Sequence, residues 1–95
     1  MVSKSQIKLI TSLAQKKYRY KNGLFVAEGF KTINELINSK FILNRLFTIS
    51  ADFGVDSNKV QELDEQELNK ISFLKTPQTA LALFEIPADK IVREE

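Results

Sequence analysis

Leu24-Phe25-Val26-Ala27-Glu28-Gly29-Phe30-Lys31-Thr32-Ile33-Asn34-Glu35-Leu36-Ile37 is the stretch on which the fold turns. Its first five residues are a short apolar run of the kind that fills a buried strand. Gly29 follows at a strand-to-helix turn, where the lack of a Cβ lets the backbone bend tightly. From Phe30 the period changes. Phe30, Ile33, Leu36 and Ile37 recur on one helical face, and the helix runs out near Asn38-Ser39. Arg45-Leu46-Phe47-Thr48-Ile49-Ser50 then reads as a second strand.

Upstream, Ile7, Ile10, Leu13 and Ala14 follow the spacing of one helical face, and Ser3 with Gln6 fits a capping box. That pattern fades in Lys16-Lys17-Tyr18-Arg19-Tyr20-Lys21, and Asn22-Gly23 marks a turn. Downstream, residues 51–58 have the composition of a loop. A short strand is expected at Lys59-Val60-Gln61-Glu62-Leu63. Asp64 and Glu67 fit a second capping box, opening a short helix with Leu68 and Ile71 on its apolar side. Ala80 to Ile86 reads as the last strand, stopped by Pro87. A helix followed by two strand–helix–strand units predicts an α/β fold. It would be a three-layer α/β/α sandwich around a mostly parallel sheet of about four strands, with right-handed crossovers.

The 95 residues make one domain, and 43% hydrophobic with 27% charged residues is a normal balance for a globular chain. Met1-Val2-Ser3-Lys4 lacks the apolar core of a signal peptide and no run is long enough to span a membrane, so a cytoplasmic location is expected. Cysteine and histidine are both absent. Disulfides and thiolate zinc sites are thereby excluded, and the commonest general base is missing. The net charge of +2 hides a polarity. Residues 1–47 hold nine Lys/Arg and two Asp/Glu, 9 − 2 = +7, and residues 48–95 hold five and ten, 5 − 10 = −5. A chain so divided suits an anionic partner on one face.

Catalytic groups are scarce. Glycines 23, 29 and 54 stand apart, so no phosphate-cradling loop is present. Glu65 and Glu67 sit on an acidic helix that reads as solvated surface. The informative segment is Lys16 to Lys21, with four cations and two tyrosines in six residues. Phosphates attract the cations, and unstacked bases lie on the aromatic faces. A solvated helix end with both tyrosines on the core reads the same way. Glu28-Gly29-Phe30-Lys31-Thr32 is the second candidate. Helix-start N–H groups favour an anion, although an ordinary strand-to-helix turn needs the same residues. Thr76-Pro77-Gln78-Thr79 leads into the last strand, and it joins the Gly29 edge only if that strand runs antiparallel.

Taken together, residues 7–37 resemble the N-terminal substrate-binding domain of the SpoU/TrmH-type RNA methyltransferases. The matching elements are the basic helix end with Lys16, Lys17 and Arg19, then Gly23-Leu24-Phe25-Val26, then Glu28-Gly29. Lys75-Thr76-Pro77-Gln78-Thr79-Ala80-Leu81-Ala82 resembles the Thr-Pro-Gln segment before that domain's last strand, with Thr79 where a glycine often stands. The resemblance implies a fold like that of the ribosomal proteins that bind kink-turn RNA. It implies a domain over residues 1–87 that presents ribosomal or transfer RNA, and the start of a linker at 88–95. The C-terminal domain, absent here, would bind S-adenosylmethionine, methylate a ribose 2′-oxygen and form the homodimer. The RNA contacts carried over are Lys16, Lys17, Arg19, Tyr20, Lys21, Gly29, Lys31 and Thr32, with Tyr18 or Tyr20 stacking on a base. No catalytic, cofactor-binding or metal-binding residue is carried over. A different class of function also fits: a protein-interaction domain that positions or dimerises the catalytic half.

Overall fold

The computed structural model describes residues 1–50, 53–76 and 79–90. Helix α1 (Lys4–Ser12) starts with the expected capping box: Gln6 N–H donates to Ser3 Oγ at 3.1 Å, and Ser3 N–H donates to Gln6 Oε1 at 2.9 Å. It is shorter than the apolar spacing predicts, with Leu13 already its C-cap. The basic segment does not fade but forms a helix of its own, α2 (Lys16–Asn22), ended by Gly23 in the left-handed conformation at φ 68°, ψ 29°. Its half-buried residues are Tyr18, Arg19 and Tyr20, three in a row rather than a spaced aliphatic set. A search for apolar periodicity therefore misses it.

Strand β1 (Leu24–Glu28), helix α3 (Phe30–Asn38), strands β2 (Leu43–Thr48) and β3 (Val60–Glu62), helix α4 (Glu65–Ile71) and strand β4 (Ala80–Glu85) complete the fold. Short 3-10 turns occupy Ser57–Lys59 and Ala88–Lys90. Residues 51–52 of the expected loop and 91–95 of the expected linker lie outside the described residues. Strand β2 begins and ends two residues earlier than its expected span of 45–50. Leu43 is core, which draws the start back, and Thr48 ends the strand. Its buried hydroxyl accepts Ser50 N–H at 3.0 Å and donates to Ser50 O, turning the chain out of the sheet.

The strand order is β1-β4-β2-β3. Strands β1, β2 and β3 share one direction, but β4 lies between β1 and β2 and runs antiparallel to both. Two of the three ladders are antiparallel, so the expected mostly parallel sheet is corrected. The reason lies in where the chain leaves α4. It emerges beside Glu28, at the edge where β1 and β2 end, so β4 sets out from that edge and runs back against both neighbours. Helix α4 crosses the sheet from side to side at that edge. Leu63 N–H, just before it, donates to Thr48 O at 3.0 Å, and Ser72, just after it, bonds Glu28 at the end of β1.

Two apolar clusters form on the two sheet faces. Leu81 and Leu83 of β4 and Phe47 of β2 meet Ile10 and Leu13 from the α1 end and Leu68 and Ile71 of α4. On the other face, Ala80, Ala82 and Phe84 meet Ile33 of α3, with Phe84 stacked on Phe25 at 5.8 Å. The three-layer arrangement therefore holds. Alternation along β4 sends large side chains to one face and two alanines to the other, letting α3 approach closely. Phe30 departs from its expected core face: it is 55% exposed.

Candidate functional site

One edge of the sheet gathers the ends of β1 and β2 and the start of β4, because β4 runs against its neighbours. Gly29 sits there, buried, with φ 92° and ψ 147°. Its N–H donates to Ala80 O and its carbonyl accepts from Ile33 N–H, both at 3.0 Å. Ile49 N–H donates to Thr79 O at 3.0 Å, and the Thr48 hydroxyl lies 3.4 Å from the same carbonyl. The edge is therefore cross-tied, and the segment before β4 joins it. Thr76 and Thr79 are exposed there, while Pro77 and Gln78 lie outside the described residues.

Helix α3 starts at this edge with glycine as its N-cap, no side-chain cap and no acidic residue in its first turn. Its first N–H groups lack intrahelical partners, and Lys31 and Thr32 beside them are exposed. Such a terminus favours negative charge. Phe30, the first residue of α3, leans on Phe53 with ring centroids 5.0 Å apart. Periodicity places Phe30 on the core face, but a first-turn residue at the sheet edge projects past the core.

The basic segment is split by role. Lys16, Lys17 and Lys21 are exposed. Arg19 turns inward, its Nη1 donating to Leu13 O at 2.9 Å and Ala14 O at 3.0 Å, so the guanidinium closes the corner between α1 and α2. Both tyrosines carry a lysine over the ring: Lys17 Nζ is 5.0 Å from the Tyr18 centroid and Lys16 Nζ 5.5 Å from that of Tyr20. A concavity of about 410 Å³ opens beside Arg19, lined by Leu13, Ala14, Arg19, Phe25, Val26 and Phe73.

Glu28 is a part of the site whose role the sequence does not declare. Its two carboxylate oxygens accept from Ser72 Oγ at 2.6 Å and Phe73 N–H at 2.8 Å. A groove of about 640 Å³ lies at the opposite edge between Gly23, Phe41, Ile42 and Ile86. Its one cation, Lys40, is offset by Glu85, so it lacks the positive excess of the Gly29 edge. Among the described residues no acidic cluster is placed to hold a metal ion, and no helix is long and apolar enough to cross a membrane.

Fold and site together define a small α/β binding module with a cationic flank and a cross-tied sheet edge. The chain belongs to the MRM3-like substrate binding domain family, whose model matches residues 4–82. The resemblance to the substrate-binding domain of SpoU/TrmH-type RNA methyltransferases is thereby borne out. A protein from Porphyromonas gingivalis assigned to the TrmH family of RNA methyltransferases is similar at 32% identity over 93% of the chain, with a TM-score of 0.83. An AdoMet-bound rRNA methyltransferase from Sinorhizobium meliloti shares the fold at 23% identity over 92% of the chain, TM-score 0.74. An RNA 2′-O ribose methyltransferase does so at 19% identity over the whole chain, TM-score 0.72. The chain spans 37%, 36% and 40% of those three proteins. No curated protein sequence matches it.

Proposed function

We propose that this chain holds the RNA substrate of an S-adenosylmethionine-dependent 2′-O-ribose methyltransferase acting on ribosomal or transfer RNA. The match of residues 4–82 to a substrate-binding domain carries this reading. Lys16, Lys17, Lys21 and Lys31 contact phosphates, which need exposed cations. Thr32 and the Gly29 turn meet the RNA backbone at the start of α3, as the kink-turn resemblance implies. Arg19 acts by holding the α1–α2 corner, and Tyr20 or Tyr18 gives up its lysine to stack on a base.

Methyl transfer, the cofactor and the homodimer contacts belong to the part of the protein that this chain does not span. S-adenosylmethionine fits these residues poorly, since the three glycines serve three separate turns and none forms a backbone cradle. The chain's own contribution is to bind and orient RNA in the cytoplasm, ahead of a linker beginning near residue 88.

The test is an NMR titration with an RNA hairpin and with transfer RNA at two salt concentrations. Amide shifts are expected at residues 16–21 and 29–32. With four lysines on phosphates, affinity should fall roughly 50- to 150-fold between 50 and 200 mM salt. No shift with either RNA at low salt would favour the alternative, a protein-interaction domain that positions the catalytic half.

A further inference from the structure

Glu28 poses a problem for an RNA-binding edge. It is a carboxylate beside Gly29, where a polyanion is expected. Among the described residues the only ion pair joins the N-terminus to Glu67, so no cation neutralises Glu28. Coulomb repulsion alone would make this group a liability. Its partners explain its presence. Oε1 accepts from Ser72 Oγ and Oε2 from Phe73 N–H, across 44 and 45 residues of sequence. Ser72 Oγ in turn accepts Leu74 N–H at 3.1 Å, so three consecutive residues hang from one carboxylate. The other end of the same segment is fixed too, by Thr79 O on Ile49 N–H and Ala80 O on Gly29 N–H. The described part of the chain between these anchors is Ser72–Thr76. It carries Lys75, Thr76 and Phe73, all exposed.

We propose that Glu28 is a positioning residue for RNA binding: it clamps the Ser72–Thr76 segment onto the Gly29 edge, so that Lys75 joins Lys31 on one RNA-facing surface. The inference rests on the RNA-binding reading above and adds a second strip to it. The negative charge is tolerated because both carboxylate oxygens are occupied by donors of the segment it organises. Two carboxylate hydrogen bonds outweigh neutral ones; a glutamine loses the charge from both and meets Ser72 Oγ with a donor, so that hydroxyl must reverse its bond.

The sign of the effect separates this from simple electrostatics. Removing an anion from an RNA surface should tighten binding. Loss of the clamp should loosen it. The experiment measures binding of the 95-residue chain to a fluorescein-labelled RNA hairpin and to transfer RNA, for wild type, Glu28→Gln, Ser72→Ala, Lys75→Ala and the Glu28→Gln/Lys75→Ala pair. Expected are affinities weakened about threefold in Glu28→Gln, Ser72→Ala and Lys75→Ala alike, since loss of the clamp forfeits what Lys75 contributes. The double variant should be no weaker than Glu28→Gln alone, because an unclamped Lys75 has nothing left to lose. Amide exchange at Phe73 and Leu74 should quicken in Glu28→Gln while Ile33 and Leu46 stay protected, which separates a freed segment from a damaged fold. Glu28→Gln binding as tightly as wild type, or tighter, overturns the clamp while leaving the RNA reading intact. Fully additive losses in the double variant also overturn it. A wild-type chain that binds neither RNA at low salt overturns the RNA reading and the proposal with it.

Discussion

Gly29 and Arg19 show how differently two residues of one motif-bearing stretch behave. The Gly29 backbone, φ 92° and ψ 147°, lies close to a region that only glycine enters at low cost. Gly29→Ala should cost about 1–3 kcal/mol in urea unfolding, because Ala80 and Ile33 hold the strained geometry in place from both sides. A glycine between an apolar run and a helical period was legible as a turn. Its hydrogen bond to Ala80 was not, since nothing local encodes a partner 51 positions away. Arg19 was legible only as a cation. Its Nη1 alone donates to two carbonyls at the end of α1, at the end of a side chain one bond longer than lysine's, so a lysine ammonium falls short of the pair. Arg19→Lys keeps the charge, yet the unfolding free energy should drop by about 1 kcal/mol, close to the loss in Arg19→Ala. Equal stability of Arg19→Lys and wild type would show that the charge matters and the corner does not.

At the scale of elements, those with a local cause were the readable ones. Both capping boxes are present, Ser3 with Gln6 and Asp64 with Glu67. The second box also reaches beyond its helix: Glu67 Oε2 accepts Val2 N–H at 2.7 Å and lies 3.7 Å from the N-terminal ammonium, pinning the start of the chain to α4. Asp64→Ala should therefore cost about 1–2 kcal/mol, the upper half of the usual range for a lost N-cap. Ser3→Ala caps a helix alone and should cost about 1 kcal/mol. Comparing the two midpoints in one denaturant series checks the ranking. Helix α2 was hidden because its packing rests on two tyrosines and an inward arginine, a set with no apolar stripe. Phe30 was misplaced for the opposite reason: it fits the stripe of α3 but stands where the core has already ended.

For the whole molecule, the α/β class and the layers followed from the order of elements, whereas the direction of β4 did not. Ala80-Leu81-Ala82-Leu83-Phe84 is buried on both faces, and an apolar run of that kind fits a central strand of either sense. Contacts distant in sequence decide it: Ser72 on Glu28 and Ala80 on Gly29 start β4 at the edge where β1 ends. That reversal also makes the candidate site, by bringing the segment before β4 to the Gly29 edge. It has a consequence for how the domain comes into being. The strand at the middle of the sheet is the last to leave the ribosome. Until it emerges, β1 has no neighbour within the sheet, and neither core has its floor. Chains truncated after Thr79 should show no cooperative thermal transition, whereas chains ending at Lys90 should melt as one unit. Nascent copies would then stay protease-sensitive until nearly the whole domain has been synthesised, so the binding surface appears in a single late step.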